Sequence, residues 1–193
     1  MFIRAYKITN DSVSDELKKY WERQNARNLT YPGVVGVQHS TDPMIRKDIK
    51  DSLDTDIDPE HTAPEWQEYR AWLNSAMAIY VTEYPYALIG SFKITHPTNI
   101  QCYAPTGGYK EFHSERNGRA EPHGSRHLVF MTYLNDISAS DAGGTEFFHQ
   151  GVIVQPQKGL TLIWPSDWTH THRGIVSPTK EKCIITGWFN FDV

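Results

Sequence analysis

After Tyr84 the chain changes texture, and that change limits its fold more than any other feature. Nine short runs rich in β-branched and aromatic residues follow one another: Ala87–Thr95, Ile100–Ala104, Tyr109–His113, His127–Leu134, Thr145–Phe148, Val152–Gln155, Leu160–Trp164, Gly174–Ser177 and Lys182–Phe191. Gly, Pro, Asn and Asp lie between them. The run residues suit a pleated, half-buried surface and the spacers are turn formers, so the pattern predicts a β-sandwich or jelly roll.

The front half reads differently. Residues 2–8 alternate enough for a short edge strand. Asp11-Ser12 offers an N-cap, and Val13, Leu17, Tyr20 and Trp21 keep helical spacing through Gln24. Pro64–Tyr84 predicts a second helix, with Trp66, Tyr69, Trp72, Leu73, Met77 and Tyr80 at three- and four-residue steps. Such a stripe covers one face of a sheet. Between the helices, Asn25–Ala63 is polar and irregular. Asp54, Asp56 and Asp58 alternate like the start of a calcium loop, but the glycine and distal glutamate of that loop are missing, which leaves a solvated acidic loop. The expected organisation is one domain over 1–193, mainly β with supporting helices: a helical support region at 1–85 packed on one sheet of a β core at 86–193.

The formal net charge of -4 argues against nucleic acid as an obligatory partner. Cys102 and Cys183 make neither a disulfide framework nor a zinc spacing, and they are read as buried, reduced thiols. No apolar run approaches the roughly 20 residues that span a bilayer, and the start from Met1 lacks the apolar core of a secretory signal. These features predict a soluble cytoplasmic protein with no membrane partner. They leave the oligomeric state open.

Three features carry chemistry. In His113-Ser114-Glu115, residues i and i+2 of a strand would project an imidazole and a carboxylate to the same side. Thr169-His170-Thr171-His172-Arg173-Gly174 supplies a further imidazole, from either His170 or His172. Two histidines and one carboxylate on one face of an octahedron leave three open positions, the arrangement of non-haem Fe(II) oxygenases. Lys182 then opens the last run, sharing a strand face with Ile184, Thr186 and Trp188. An inward lysine requires an anion, because an unpaired buried charge is costly.

From about Tyr103 to Phe189 these residues, taken in order, resemble the prolyl 4-hydroxylase group of 2-oxoglutarate/Fe(II) dioxygenases. The resemblance runs through Tyr103-Ala-Pro-Thr-Gly-Gly-Tyr109, His113-x-Glu115, Thr132-Tyr-Leu-Asn135, Gly143-Gly-Thr-Glu-Phe147, Pro156-x-x-Gly159, His172-x-Gly174 and Lys182. It implies a double-stranded β-helix (jelly-roll) core, metal ligands at His113, Glu115 and His172, and a 2-oxoglutarate site at Lys182, Tyr103, Thr145 and Thr186. It places Trp188 as an aromatic of the substrate pocket. Family spacing is also what selects His172 over His170. The departure is Glu115, one methylene longer than the family's usual aspartate. It is expected to reach the metal directly, with contact through a water as the other option.

The resemblance implies Fe(II), 2-oxoglutarate as cosubstrate and O2, with room for ascorbate as an auxiliary reductant. 2-Oxoglutarate would be decarboxylated to succinate as a substrate C–H bond is hydroxylated. A peptidyl proline is the leading substrate, within a wider class of peptides, proteins or small molecules. Loops Ser114–Ser125 and the stretch near 40–60 are the expected gates. His39, His61, His96, His123, His127 and His149 are read as solvated or core residues, Trp164, Trp168 and Phe148 as packing, and Arg126 and Arg173 as solvent-facing salt bridges, with contact to a substrate carboxylate as the other option. Two alternatives come from other classes: a catalytically silent jelly-roll binding module, and a cupin-type metalloenzyme without 2-oxoglutarate. Lys182 argues against the second, which has no need of an inward cation there.

Overall fold

The computed structural model describes residues 1–36, 44–118 and 121–192. Its elements, in chain order, are β1 (Arg4–Lys7), α1 (Asp11–Ala26), β2 (Tyr31–Pro32), β3 (Leu53–Ile57), α2 (Pro64–Glu83), β4 (Phe92–Lys93), β5 (Thr98–Tyr103), β6 (Arg126–Tyr133), β7 (Thr145–Phe147), β8 (Val152–Val154), β9 (Leu160–Pro165), β10 (His172–Gly174) and β11 (Lys182–Phe191). The large sheet runs β1-β9-β6-β11-β5-β3-β2, with β4 also on β11, and a small sheet runs β10-β7-β8. Together they form the expected jelly roll.

Period-2 alternation sorts the large sheet into two faces. Ile100, Cys102, Leu128, Phe130, Ile185 and Phe189 point outward to one apolar cluster, and the buried faces of α1 and α2 cover them with Leu17, Trp66, Tyr69, Leu73 and Tyr80. Burying each large side chain contributes about 2–3 kcal/mol. Tyr103, Val129, Met131, Tyr133, Leu162 and Ile184 point inward, toward Phe147 on the small sheet. α1 is capped by the Asn10 side chain, which accepts from the Ser12 amide, so the cap lies one residue earlier than Asp11. Pro64 stands in the first turn of α2, where its missing N–H costs nothing. Gly187 sits opposite Phe130 on β6, and a Cβ there would come 2.5 Å from the Phe130 ring.

Several local expectations are corrected. The expected edge strand is β1, but the first 85 residues also supply β2 and β3 to the large sheet. The acidic loop is strand β3, whose Asp54 is buried and ion-paired with buried Lys50 at 2.6 Å. Tyr109–His113 makes only isolated bridges, Lys50 to Tyr109 and His113 to His172, rather than a strand. Of Ala87–Thr95, only Phe92–Lys93 is strand. Cys102 and Cys183 are cross-strand partners on β5 and β11, and their sulfurs are joined as a disulfide rather than left as free thiols. His39, part of the stretch near 40–60, and residues 119–120 lie outside the described residues. Among the described residues, no helix is long and apolar enough to cross a membrane.

Candidate metal and cosubstrate site

Backbone pairing brings the two histidines together. His113 and His172 exchange both N–H···O bonds, each 2.9 Å long, and their ring centroids lie 4.5 Å apart. The chain then leaves the bridge. Ser166 O accepts from the amides of Glu115 (3.1 Å) and Arg116 (2.9 Å). That irregular turn, not a strand face, sends Glu115 inward beside the imidazoles.

Each ring is oriented by a carbonyl. His113 Nδ1 lies 3.0 Å from Glu111 O, and His172 Nδ1 lies 3.0 Å from His170 O. A carbonyl only accepts, so each Nδ1 carries the proton and each Nε2 lone pair is free for a ligand. Glu115 Oε1 stands 3.7 Å from His113 Nε2 and 3.5 Å from His172 Nε2. One donor atom from each of the three residues lies within 4.8 Å of the other two, a cluster that could hold a metal ion. Burial, aided by neighbouring His172, pushes the His113 imidazole down to about 4, so it is neutral at pH 7. Burial alone would raise Glu115, but His172, His113 and Arg126 outweigh it and hold the carboxyl well below the usual range. Two imidazole nitrogens and one carboxylate suit a divalent first-row ion.

Lys182 reaches the same cavity, of about 710 Å³, from β11. Lys182 is 4% exposed, and its ammonium donates to Ile175 O at 3.2 Å and lies 5.2 Å from the Tyr103 ring centroid. Burial lowers it to about 8. The other buried cations of the cavity have carboxylates: Lys50 has Asp54 (2.6 Å) and Arg126 has Glu115 (3.3 Å). Among the described residues, Lys182 has none within 4.0 Å, and an anionic ligand would compensate it. Gly174 leaves the room, since a Cβ there would stand 3.1 Å from Lys182 Nζ. Buried Tyr103 is held well above its ordinary value, chiefly by burial, and donates to Gln101 Oε1 at 2.5 Å.

Thr145, Thr186 and Trp188 also line this cavity. The Thr186 hydroxyl donates to Phe130 O at 3.0 Å, and Thr145 Oγ1 accepts from Tyr133 at 2.7 Å. Described residues of both expected gates line it too, among them Asp54, Asp56, Ser114 and His123. The His170 ring is not part of the donor cluster; its Nδ1 meets Thr169 and its buried Nε2 has no partner among the described residues. Arg173 meets the expectation of an outer salt bridge, to Glu146 at 2.8 Å. Arg126 does not: it is 8% exposed and bound to Glu115. Trp164 packs against His172, whereas Phe148 and Trp168 are exposed rather than packed. Sequence reasoning missed three residues here. Tyr109 stacks on His113 at 3.7 Å between centroids, and Lys50 with Asp54 forms a buried pair in the wall. Tyr109 is visible only as part of a motif, and a spacing of four residues outside a helix does not mark Lys50 and Asp54 as a pair.

Residues 98–190 match a family model described as the 2OG-Fe(II) oxygenase superfamily. No curated protein matches the chain by sequence. Solved structures similar to it include a Pseudomonas putida prolyl-4-hydroxylase (20% identity, TM-score 0.74, covering 97% of this chain and 92% of that one). A viral collagen prolyl hydroxylase from Paramecium Bursaria Chlorella virus-1, in complex with 2OG, gives 14% identity and a TM-score of 0.73, covering 100% and 97%. A Trichoplax adhaerens prolyl hydroxylase, in complex with a peptide fragment of the hypoxia inducible factor oxygen degradation domain, gives 16% and 0.73, covering 97% and 83%.

Proposed function

Since the chain belongs to the 2OG-Fe(II) oxygenase superfamily, and is thereby a dioxygenase using Fe(II), 2-oxoglutarate and O2, we propose that it hydroxylates a peptidyl proline. Its iron is held by His113, Glu115 and His172, and its 2-oxoglutarate by Lys182 with Tyr103, Thr145 and Thr186 around it. Residues 1–193 act as one catalytic unit.

The observation that carries the reading is that the three-donor cluster and an uncompensated buried lysine open into one cavity. A metal-binding module without a cosubstrate has no use for that ammonium, whereas a dicarboxylate needs a grip at each end. The bound metal and cosubstrate supply the oxidising chemistry. This chain's residues keep the His113 imidazole neutral and the Glu115 carboxylate charged, compensate the distal carboxylate through Lys182, and line the pocket with Trp188. The choice of proline rests on likeness to prolyl hydroxylases, one of them holding a peptide. Fe(II), 2-oxoglutarate, ascorbate as reductant and a panel of proline-containing peptides test it. Succinate released with one peptide and not with its proline-to-alanine partner is expected; succinate release indifferent to every peptide would remove proline as the substrate.

A further inference from the structure

Glu115 carries a second relationship that a metal does not explain. Oε1 faces the histidines, while Oε2 receives Trp188 Nε1 at 3.2 Å and Arg126 at 3.3 Å. The same Arg126 nitrogen also donates to the Glu115 carbonyl at 2.8 Å, so one guanidinium grips both ends of the residue. Its carbon sits 3.5 Å from the Trp188 ring centroid, a stacked cation–π contact that fixes the two donors against each other.

A register fault in the sheet makes this possible. β11 pairs Trp188 with Val129 and Phe189 with Leu128, then Asn190 with Arg126, so β6 has one extra residue at this point. Strict alternation from inward Val129 would send His127 inward and Arg126 outward. The bulge instead leaves His127 on the outer side, against Phe92 and Phe191 and bonded to Ala87 O, and turns Arg126 into the cavity. Bulges re-aim side chains in this way.

We propose that Arg126 and Trp188 are positioning residues that hold Glu115 by Oε2, so that it offers one oxygen to the metal, and that this clamp is what fits glutamate to the position. The inference rests on the reading of His113, Glu115 and His172 as ligands. With Oε2 tied to donors fixed by two strands, the longer side chain is required to bridge from clamp to metal. Aspartate, one methylene shorter, meets the clamp or the histidines but not both.

The test measures Co(II) affinity, Co(II) replacing oxidisable Fe(II), by calorimetry, with the visible Co(II) spectrum reporting coordination. Arg126→Gln, Trp188→Phe and Glu115→Asp are each expected to weaken binding about 10- to 100-fold, the usual cost of losing a group that orients a ligand, and to alter the spectrum. Trp188→Phe keeps the ring beneath Arg126 and tests the N–H alone should Arg126→Gln fail to fold. His172→Ala separates the two levels. If it binds Co(II) as the parent does, the ligand assignment is wrong. If it loses Co(II) while Trp188→Phe and Glu115→Asp bind with parental affinity and spectrum, the ligands stand and the clamp is overturned.

Discussion

His113 and His172 are direct partners in an antiparallel bridge, exchanging both backbone hydrogen bonds at 2.9 Å. Their convergence is made by main chain, so neither imidazole is needed to hold the other in place. His172→Ala should therefore leave the fold intact, its circular dichroism spectrum unchanged, and reduce metal affinity by at least about 100-fold, beyond the loss from residues that only orient ligands. His170→Ala removes a ring outside the donor cluster but keeps the carbonyl that orients His172, so it should retain a measurable part of metal binding and turnover. The reverse order between these variants would move the ligand to His170 and undo the spacing argument with it.

Lys182 should set a pH dependence of known sign. Its value when folded, about 8, lies below its ordinary 10.5, so between those limits the unfolded chain binds more protons and stability rises with pH. At pH 7 the buried ammonium costs on the order of 3 kcal/mol. Without ligands, Lys182→Met should thus be more stable than the parent at pH 7, with the difference shrinking from pH 8 toward 10.5. Urea unfolding at a series of pH values measures it. A difference that does not vary across that range would mean the lysine is compensated.

The same ammonium should govern the cosubstrate. Lys182→Ala is expected to weaken 2-oxoglutarate binding far more than Co(II) binding, and Gly174→Ala, which sets a Cβ 3.1 Å from Nζ, should do likewise to a smaller degree. Calorimetric titration of each ligand separates the two effects. Equal losses of metal and 2-oxoglutarate in both variants would make Lys182 structural.

The disulfide closes a loop of 81 residues between β5 and β11, for which chain entropy alone gives about 4.5 kcal/mol. Protein purified without reductant should show no alkylatable thiol when unfolded, and adding reductant should lower its denaturation midpoint. Two titratable thiols in the unreduced protein would contradict the bond.

Much of this was legible because strands and helices carry their periods openly. The inward face of Lys182, Ile184, Thr186 and Trp188 follows from period 2 on a strand that stays regular to Phe189. The stripe on α2 follows from three- and four-residue steps, and all of its members but half-buried Trp72 are buried. Failures came where regularity breaks or where partners are distant in sequence. Alternation along β6 would turn Arg126 to the outer face, and no sequence pattern shows the bulge that turns it inward. Asp54 looked like a loop acid because nothing local reveals Lys50 folded back on it in a buried pair. Cys102 and Cys183 depend on a strand register that no single-sequence pattern fixes. Glu115 lies in the donor cluster, but the strand argument that sends it there does not hold, since the Ser166 carbonyl turns it inward.

The most direct test of the account couples two products in one reaction. With Fe(II), 2-oxoglutarate and O2, succinate and a singly oxygenated proline-containing peptide should be quantified together by mass spectrometry, for the parent and for His172→Ala. Equal amounts of both products from the parent, and neither above background from His172→Ala, is the predicted result. Peptide oxygenation that persists in His172→Ala, or that proceeds without consuming 2-oxoglutarate, would contradict the site and its chemistry together.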